Sequence, residues 1–295
     1  MHKRLVILSC FAALGGTALL VSRTDAKPET AEQVAPGVWF REGDIKNLGH
    51  CNNVIIEMKD YLIVVDANFP SGARAVMEDV KRVSSKPVKY VFDTHHHGDH
   101  SYGNAVWTDA GATTLAYKGV ADEMKRYEPA RWQQAVKERK DVAEMNRPSV
   151  EPPKQTFDEK MFVLDDGTRK VEFHFFGWAH TRGDGFVYLP KDQILCTGDA
   201  VVNGPYNYTG DGNIGNWPNV VRAAEKLKVK LANRALLALR IRSSLSRSAS
   251  RSAPRSAPSC RAACSSQTDF ALRSRARPEG RASPRTASRS RRAPR

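Results

Sequence analysis

The stretch THHHGDH, residues 94–100, contains four of the eight histidines in this 295-residue chain. It directly follows VKYVFD, residues 88–93, a run with the β-branched and aromatic residues typical of a buried strand. A loop at the end of that strand can turn two pairs of side chains towards two neighbouring points: His95 with His97, and Asp99 with His100. Neutral imidazoles and a carboxylate suit Zn²⁺. A solvated polar loop is the alternative interpretation. A purification tag would not lie mid-chain after a buried strand or end in Gly-Asp-His, so the stretch predicts a metal site.

Two later segments supply further ligands of the same kinds. GWAHTRGD, residues 177–184, places His180 in a Gly-rich turn after an apolar strand, and ILCTGDA, residues 194–200, places Asp199 just after another. Either segment alone would be read as a structural turn. Together with the histidine cluster, they give three strand-end loops that offer His and Asp side chains to one rim, as a two-metal centre requires.

The rest of the body alternates strand-like and helix-like segments. NNVIIEM (52–58) and YLIVVDA (61–67) predict a hairpin with Lys59 and Asp60 at its turn. SGARAVMEDVKRVSS (71–85) has helical spacing, and we expect Ser71 to cap that helix. This alternation predicts a mixed, layered α/β domain over residues 27–230.

The three motifs together resemble the metallo-β-lactamase superfamily of zinc hydrolases, over roughly residues 35–228. H-x-H-x-D-H, G-x-x-H-T-x-G-D and T-G-D carry the resemblance. It implies an αββα sandwich with the metal ions at one sheet edge. The first Zn²⁺ would bind His95, His97 and His180; the second would bind Asp99 and His100, with Asp199 bridging the two. Asp66 matches a position that supports the metal loop from behind its ligands, although an Asp here can also simply start a turn.

The resemblance implies a zinc-dependent hydrolase in which a metal-activated hydroxide attacks an ester, thioester or amide/lactam carbonyl of a small molecule. Asp99 would orient the hydroxide and carry a proton to the leaving group. The bridging Asp199 resembles broader hydrolases such as hydroxyacylglutathione thioesterases, whereas true β-lactamases usually have Cys or Ser there. A β-lactamase proper, or a redox protein holding iron on the same fold, stays open. Three aromatic residues either line the pocket or pack beneath it: Tyr206, Tyr208 and Trp217.

One ligand of the family pattern is missing. The pattern normally ends with a further histidine, often in a Pro-Gly-His loop, that completes the second metal site. No histidine follows His180 in this sequence. We therefore expect the second Zn²⁺ to bind more weakly, and the last strand and helix of the sandwich to be missing or disordered.

The basic charge of the chain lies in its last part. Residues 231–295 contain 16 Arg, no Lys and two acids, Asp269 and Glu279, so their net charge is 16 − 2 = +14, which equals that of the whole chain. The charges of residues 1–230 thus sum to zero, and we expect no nucleic-acid binding by the main domain. Arg, Ser, Ala and Pro dominate this tail, which predicts disorder. Because these are the residues that GC-rich codons give out of frame, we hypothesise a frameshift near residues 227–235; a genuine basic tail that binds nucleic acid or a membrane surface is the alternative.

Residues 1–26 have the features of a secretory signal peptide. A basic start, Met1-His2-Lys3-Arg4, precedes an apolar run, and small residues follow near Ala26. A membrane anchor is the alternative, but Gly15 and Gly16 interrupt a run of marginal length. We expect an exported protein, periplasmic or secreted, with no other membrane association.

The sequence carries no signal for its oligomeric state. Cys51 and Cys196, the cysteines of the body, are expected to be free and buried.

Overall fold

The computed structural model describes residues 29–202 and 207–233. The predicted signal peptide, and the tail after residue 233, lie outside these ranges. The described residues form two β-sheets. The first sheet has the strand order β1 to β7, with these bounds: β1 Ala31–Ala35, β2 Val38–Arg41, β3 Asn53–Glu57, β4 Leu62–Val65, β5 Val88–Asp93, β6 Thr113–Tyr117 and β7 Gln155–Phe157. The second has the order β12-β11-β10-β9-β8, with these bounds: β8 Met161–Asp165, β9 Lys170–Phe175, β10 Gly185–Leu189, β11 Ile194–Cys196 and β12 Leu231–Asn233.

Helices connect the strands and cover the sheets. Their bounds are α1 Pro70–Val83, α2 Gly98–Ser101, α3 Asn104–Asp109, α4 Lys118–Glu138, α5 Lys140–Ala143 and α6 Trp217–Ala224, with a 3-10 helix at Gly198–Ala200. None of the helices in the described ranges is long and apolar enough to cross a bilayer.

The direction of the strands brings the predicted ligands to one edge. β4 and β5 are parallel, so the loops after them, which carry Asp66 and the histidine cluster, emerge side by side. In the second sheet β9, β10 and β11 are antiparallel. The end of β9, which leads to His180, and the end of β11, which leads to Asp199, therefore lie at the same edge.

The main core lies between the two sheets. Alternate side chains of both sheets pack there, among them Phe92 of β5 and Phe173 of β9, whose ring centroids are 4.7 Å apart. On the outer face of the first sheet, Val76 of α1 and Trp107 of α3 are buried. On the outer face of the second sheet, Val220 of α6 is buried. This arrangement is the predicted αββα sandwich. Cys51 and Cys196 are buried and are not linked to each other by a disulfide, as expected.

Several element boundaries differ from the sequence-based expectations. The 52–67 hairpin forms around Lys59 and Asp60 as predicted. Ser71 does not cap α1: the helix begins at Pro70 after Phe69, and the Ser71 hydroxyl donates to Asp141 instead, at 2.6 Å. The long helix α4, Lys118–Glu138, continues through Pro129.

The second sheet continues slightly past the predicted domain boundary at Lys230. The three-residue strand β12, Leu231–Asn233, pairs parallel with β11 at the sheet edge. The boundary predicted from composition therefore cuts a short strand. The position expected for a closing helix falls after residue 233 and lies outside the described residues.

Candidate metal centre

Three imidazole rings meet at the edge where the strand ends converge. His95, His97 and His180 each offer a ring nitrogen, and these atoms lie within 4.8 Å of one another. His180 Nε2 and His97 Nδ1 are 3.0 Å apart. The three ring centroids are 4.7 to 4.8 Å apart. The structure thus brings together the side chains predicted for the first zinc.

The outer nitrogen of each ring is held by a different group. The Thr94 hydroxyl donates to Asp66, so its oxygen is left to accept from His95 Nδ1, at 3.1 Å. His180 Nδ1 donates to the Tyr208 carbonyl at 3.0 Å, and His97 Nε2 donates to Asp211 at 2.8 Å. The remaining nitrogens face one another with their lone pairs. His95 Nε2 is buried and has no hydrogen-bond partner among the described residues. A cation bound between the rings would satisfy all three, so these residues fit a metal ion.

The second predicted group lies directly beside the first. His100 Nε2 is 3.3 Å from an Asp99 oxygen and 3.2 Å from Asp199 Oδ1. The other Asp199 oxygen, Oδ2, is 3.8 Å from His180 Nε2. The Asp199 carboxylate therefore spans the two groups, the position expected of a bridging ligand. A buried glycine allows this approach: Gly198 has φ +49°, and a Cβ there would lie 2.6 Å from Thr94 Oγ1.

Asp66 supports both groups from behind. It is buried, and its backbone is left-handed, with φ +68°. One carboxylate oxygen accepts from the Thr94 backbone N–H and hydroxyl, both at 2.8 Å. The other oxygen is 2.9 Å from His100 Nδ1. A single carboxylate therefore fixes the start of the metal loop and directs His100 Nε2 towards Asp99 and Asp199.

Burial and neighbouring charges set the protonation of these rings. Burial, together with the other histidines, holds the pKa of His95 well below its ordinary value. Burial also lowers the pKa of His180 to about 4. Both rings are therefore neutral at pH 7, as metal ligation requires. Burial would lower the pKa of His100 as well, but the Asp99 and Asp66 carboxylates outweigh it and raise that pKa well above normal. Without a bound metal ion, the His100 imidazole therefore favours its protonated, positively charged form.

The remaining histidines of the described residues have other surroundings. His96 stacks on Tyr127, with ring centroids 5.8 Å apart, and its Nε2 lies 3.2 Å from Arg131 Nη1. His174 lies on β9 beside Glu172, at 3.0 Å. His50 connects Glu29 and Ser71. These contacts are structural.

Sequence reasoning missed two carboxylates that hold the ligand-bearing loops. Asp184 accepts hydrogen bonds from the backbone N–H groups of residues 179, 180 and 181 and from the Thr181 hydroxyl. Its place in the G-x-x-H-T-x-G-D motif was a signal for this role. Asp211 contacts His97 from a distant loop, and no local pattern marks it.

A cavity of about 680 Å³ opens over both groups. Among the residues that line it are His97, Asp99, His180, Asp199, Arg131, Ile45 and Tyr208. Tyr208, one of the predicted pocket residues, lines this cavity. Trp217 does not line it: its indole N–H donates to the Ala200 carbonyl at 2.8 Å, and it borders a separate apolar depression. Tyr206 lies outside the described residues.

Comparisons with known proteins agree with this architecture. Residues 47–239 match the family described as "Metallo-beta-lactamase superfamily". Among similar solved structures, the metallo-beta-lactamase from Pontibacter korlensis is 20% identical with a TM-score of 0.52, over 66% of this chain and 84% of that one. The DIM-1 metallo-beta-lactamase is 20% identical with a TM-score of 0.51, over 66% and 81%. TMB-1 is 19% identical with a TM-score of 0.51, over 66% and 82%.

At these identities the solved structures establish the fold alone, while the family match spans well over half of the chain. It includes every side chain of the two ligand groups. The chain belongs to the metallo-beta-lactamase superfamily.

Proposed function

We propose that this protein is a zinc-dependent hydrolase that acts on the carbonyl of a small ester or thioester. One observation carries the proposal. Two adjacent groups of ligand atoms, linked by the Asp199 carboxylate, face one open cavity. Membership of the superfamily supports metal-dependent hydrolysis as the kind of chemistry.

The ligand types favour zinc. Three imidazoles at one position, and an imidazole with two carboxylates at the other, match the nitrogen and oxygen donors that Zn²⁺ takes. When bound, such ions polarise a carbonyl and activate water near neutral pH. The same donors also accept iron, so metal analysis decides between a hydrolase and a redox protein.

Asp99 is the proposed catalytic carboxylate. Its side chain lines the cavity and is about one-quarter exposed, whereas the neighbouring His100 is buried. A carboxylate at this position can orient a water molecule, accept its proton and deliver that proton to the leaving group. Tyr208, 56% exposed at the mouth, offers a ring face to the organic part of the substrate.

The second metal position is proposed to bind more weakly than the first. Its described protein ligands are His100, Asp99 and the shared Asp199, whereas the first position has three imidazoles. The sequence has no histidine after His180, where the superfamily pattern places a further ligand of this position. The first ion should therefore fill before the second in a zinc titration.

The test is an activity screen on the purified full chain with measured metal content. A thioester, an aryl ester and the β-lactam nitrocefin are compared with and without added Zn²⁺, and after treatment with a chelator. We expect thioester or ester turnover that the chelator removes and Zn²⁺ restores. Preferential turnover of nitrocefin would identify a β-lactamase proper, and bound iron with redox activity would overturn the hydrolase proposal.

The Asp99→Asn variant tests the role of the carboxylate. Turnover should fall by about 10²- to 10⁴-fold, the usual contribution of a positioned acid or base. Asp60→Asn, in the exposed β3–β4 turn, is the control and should leave turnover unchanged. Unaltered kcat in Asp99→Asn would remove Asp99 from the mechanism.

We further propose that the protein is exported and meets its small-molecule substrate outside the cytoplasm. The signal-like residues 1–26 support this. N-terminal sequencing of the mature protein should give a start near residue 27, whereas an intact Met1 would contradict export by cleavage.

A further inference from the structure

Asp211 contacts the first ligand group from outside the metal-binding motifs. Its Oδ2 accepts from His97 Nε2 at 2.8 Å, on the side of the ring opposite to His180. The Asp211 side chain is only 7% exposed. It comes from the loop before α6 and not from any of the three strand-end loops that carry the ligands.

The Asp211 carboxylate is itself held in place. Arg131 of α4 places Nη2 at 3.0 Å from Oδ1 and 2.8 Å from Oδ2. The backbone carbonyl of Asp211 accepts from the Trp178 indole at 2.8 Å. Arg131 is fixed in turn by Glu128, at 3.4 Å, and lies over the ring of Tyr127, 4.9 Å from its centroid. The carboxylate therefore has little freedom to turn away from His97.

This contact determines which nitrogen of His97 faces the site. An acceptor on Nε2 fixes the proton there and leaves the Nδ1 lone pair directed at His95 and His180. A carboxylate partner also makes the imidazole a stronger metal ligand. In the described part of the chain, the other two rings of the group have weaker partners, a hydroxyl and a backbone carbonyl. Of the three histidines, His97 is therefore the one whose metal binding depends most on its hydrogen-bond partner.

A second metal ion does not explain this arrangement. His96, His97 and Asp211 also offer atoms close enough to share an ion. However, the Arg131 guanidinium already lies there, 3.2 Å from His96 Nε2 and 2.8 Å from the Asp211 carboxylate. A divalent cation would have to displace this fixed positive charge.

We propose that Asp211 is the positioning residue for His97, and that Arg131 acts on the metal site only through Asp211. The inference rests on the proposed function, because it assumes that the first group binds metal. It adds a link between the ligands and helix α4 that the three motifs do not contain. Removing the carboxylate should weaken the first metal position without altering any ligand.

The first test is zinc affinity, measured by competition with a chromophoric chelator. Asp211→Ala should lower the affinity of the tighter position by about 10- to 100-fold. Asp211→Asn should lose less, since its amide oxygen still accepts from Nε2. The matched control is Asp192→Asn, a carboxylate paired with Arg169, 11% exposed and remote from the site. It should leave the affinity unchanged.

The second test works on metal-free protein. In ¹⁵N-histidine spectra, the wild-type His97 should show the proton on Nε2, and Asp211→Ala should show a mixture of the two tautomers. The tautomer of His97 separates a failure of the proposed function from a failure of the inference about Asp211. If the wild-type protein binds no zinc, the proposed function fails, while the tautomer still tests Asp211. If zinc affinity and tautomer are both unchanged in folded Asp211→Ala and Asp211→Asn, the inference about Asp211 is overturned.

Arg131 is tested by a double-mutant cycle. Arg131→Gln alone should weaken zinc binding, and the same change in the Asp211→Asn background should have little further effect, because the two residues act in series. Independent, additive losses would show that Arg131 does not act through Asp211.

Discussion

At the residue scale, Asp66 joins the strand β4 to the ligands on the neighbouring loop. Its two oxygens bind Thr94 and His100, so one side chain sets both the start of the metal loop and the direction of a ligand. The left-handed backbone at Asp66 is a conformation that residues other than glycine rarely adopt. The surrounding hydrogen bonds keep the residue there.

Asp66→Asn should therefore weaken the second metal position more than the first. We expect about a 10- to 100-fold loss of affinity there, because the amide cannot both accept from Thr94 and support His100 as a carboxylate does. Two-step zinc titration measures both positions, with Asp60→Asn as the control. An equal loss at both positions would show that Asp66 only stabilises the fold.

The metal ligands could be predicted from the sequence, but several of the residues that hydrogen-bond to those ligands could not. His95, His97, Asp99 and His100 lie within six consecutive residues, and their spacing alone indicated a metal site. Asp211 is separated from His97 by 114 positions, and only the folded chain brings them together. A sequence pattern cannot indicate a contact of this kind.

At the element scale, the start of α1 is held by a contact with α5. The Ser71 hydroxyl and backbone N–H both donate to Asp141, at 2.6 and 3.1 Å. Helix signals in the sequence indicated α1 correctly but assigned Ser71 as its cap, because a capping serine and a serine with a distant partner look alike. The mixed, layered α/β architecture, in contrast, followed from hydrophobic patterns that persist over whole segments, and the αββα order followed from the resemblance to the superfamily.

The contact between Ser71 and Asp141 predicts a pH-dependent contribution to stability. Burial raises the pKa of Asp141, but the hydrogen bond from Ser71 and the adjacent Arg139 outweigh it, so the pKa is lowered. A carboxyl with a lowered folded-state pKa stabilises the fold above its unfolded pKa, about 3.9, and this stabilisation is lost as the pH falls through the folded value.

Ser71→Ala should accordingly lower the free energy of unfolding by about 1 to 3 kcal/mol at pH 7, and by less below about pH 4. Urea unfolding with a chelator present at each pH measures this without a contribution from metal loss. In the Asp141→Asn background, the cost of Ser71→Ala should vary less with pH in this range than in the wild-type background. A cost that is the same at pH 7 and pH 3 in the wild-type background would contradict the assignment.

At the scale of the whole molecule, the ligand groups and the basic charge lie in separate parts of the chain. The domain carries both ligand groups, and residues 231–295 carry a net charge equal to that of the entire chain. The family match continues to residue 239, beyond β12. The amino-acid composition predicted a domain boundary near Lys230. It could not predict that the first three residues after Lys230 form the strand β12.

A chain that ends at residue 239 tests the role of the tail. We expect zinc affinity at the first position to stay within about twofold of the full chain, because its ligands all precede residue 181. Any binding of the full chain to DNA at low salt should be lost, because 15 of the 16 arginines of the tail follow residue 239. Zinc affinity that falls tenfold or more would show that the tail contributes to the site.

The frameshift hypothesis makes a prediction about the gene. Reading the region from codon 220 in the other two frames should give an apolar strand, a loop with histidine and a helix. Resequencing that region of the gene checks whether its nucleotide sequence is correct. If neither alternative frame gives such a pattern, the arginine-rich sequence is the genuine continuation of the domain.

The central claim is that His95, His97 and His180 form the tighter of two zinc positions. Its most direct test is zinc titration of the metal-free full chain beside the His180→Ala variant, with His174→Ala as a control on β9. We predict one tight and one weaker zinc per wild-type chain, the same result for His174→Ala, and loss of the tight position in His180→Ala. Equal zinc binding by all three proteins would contradict the claim.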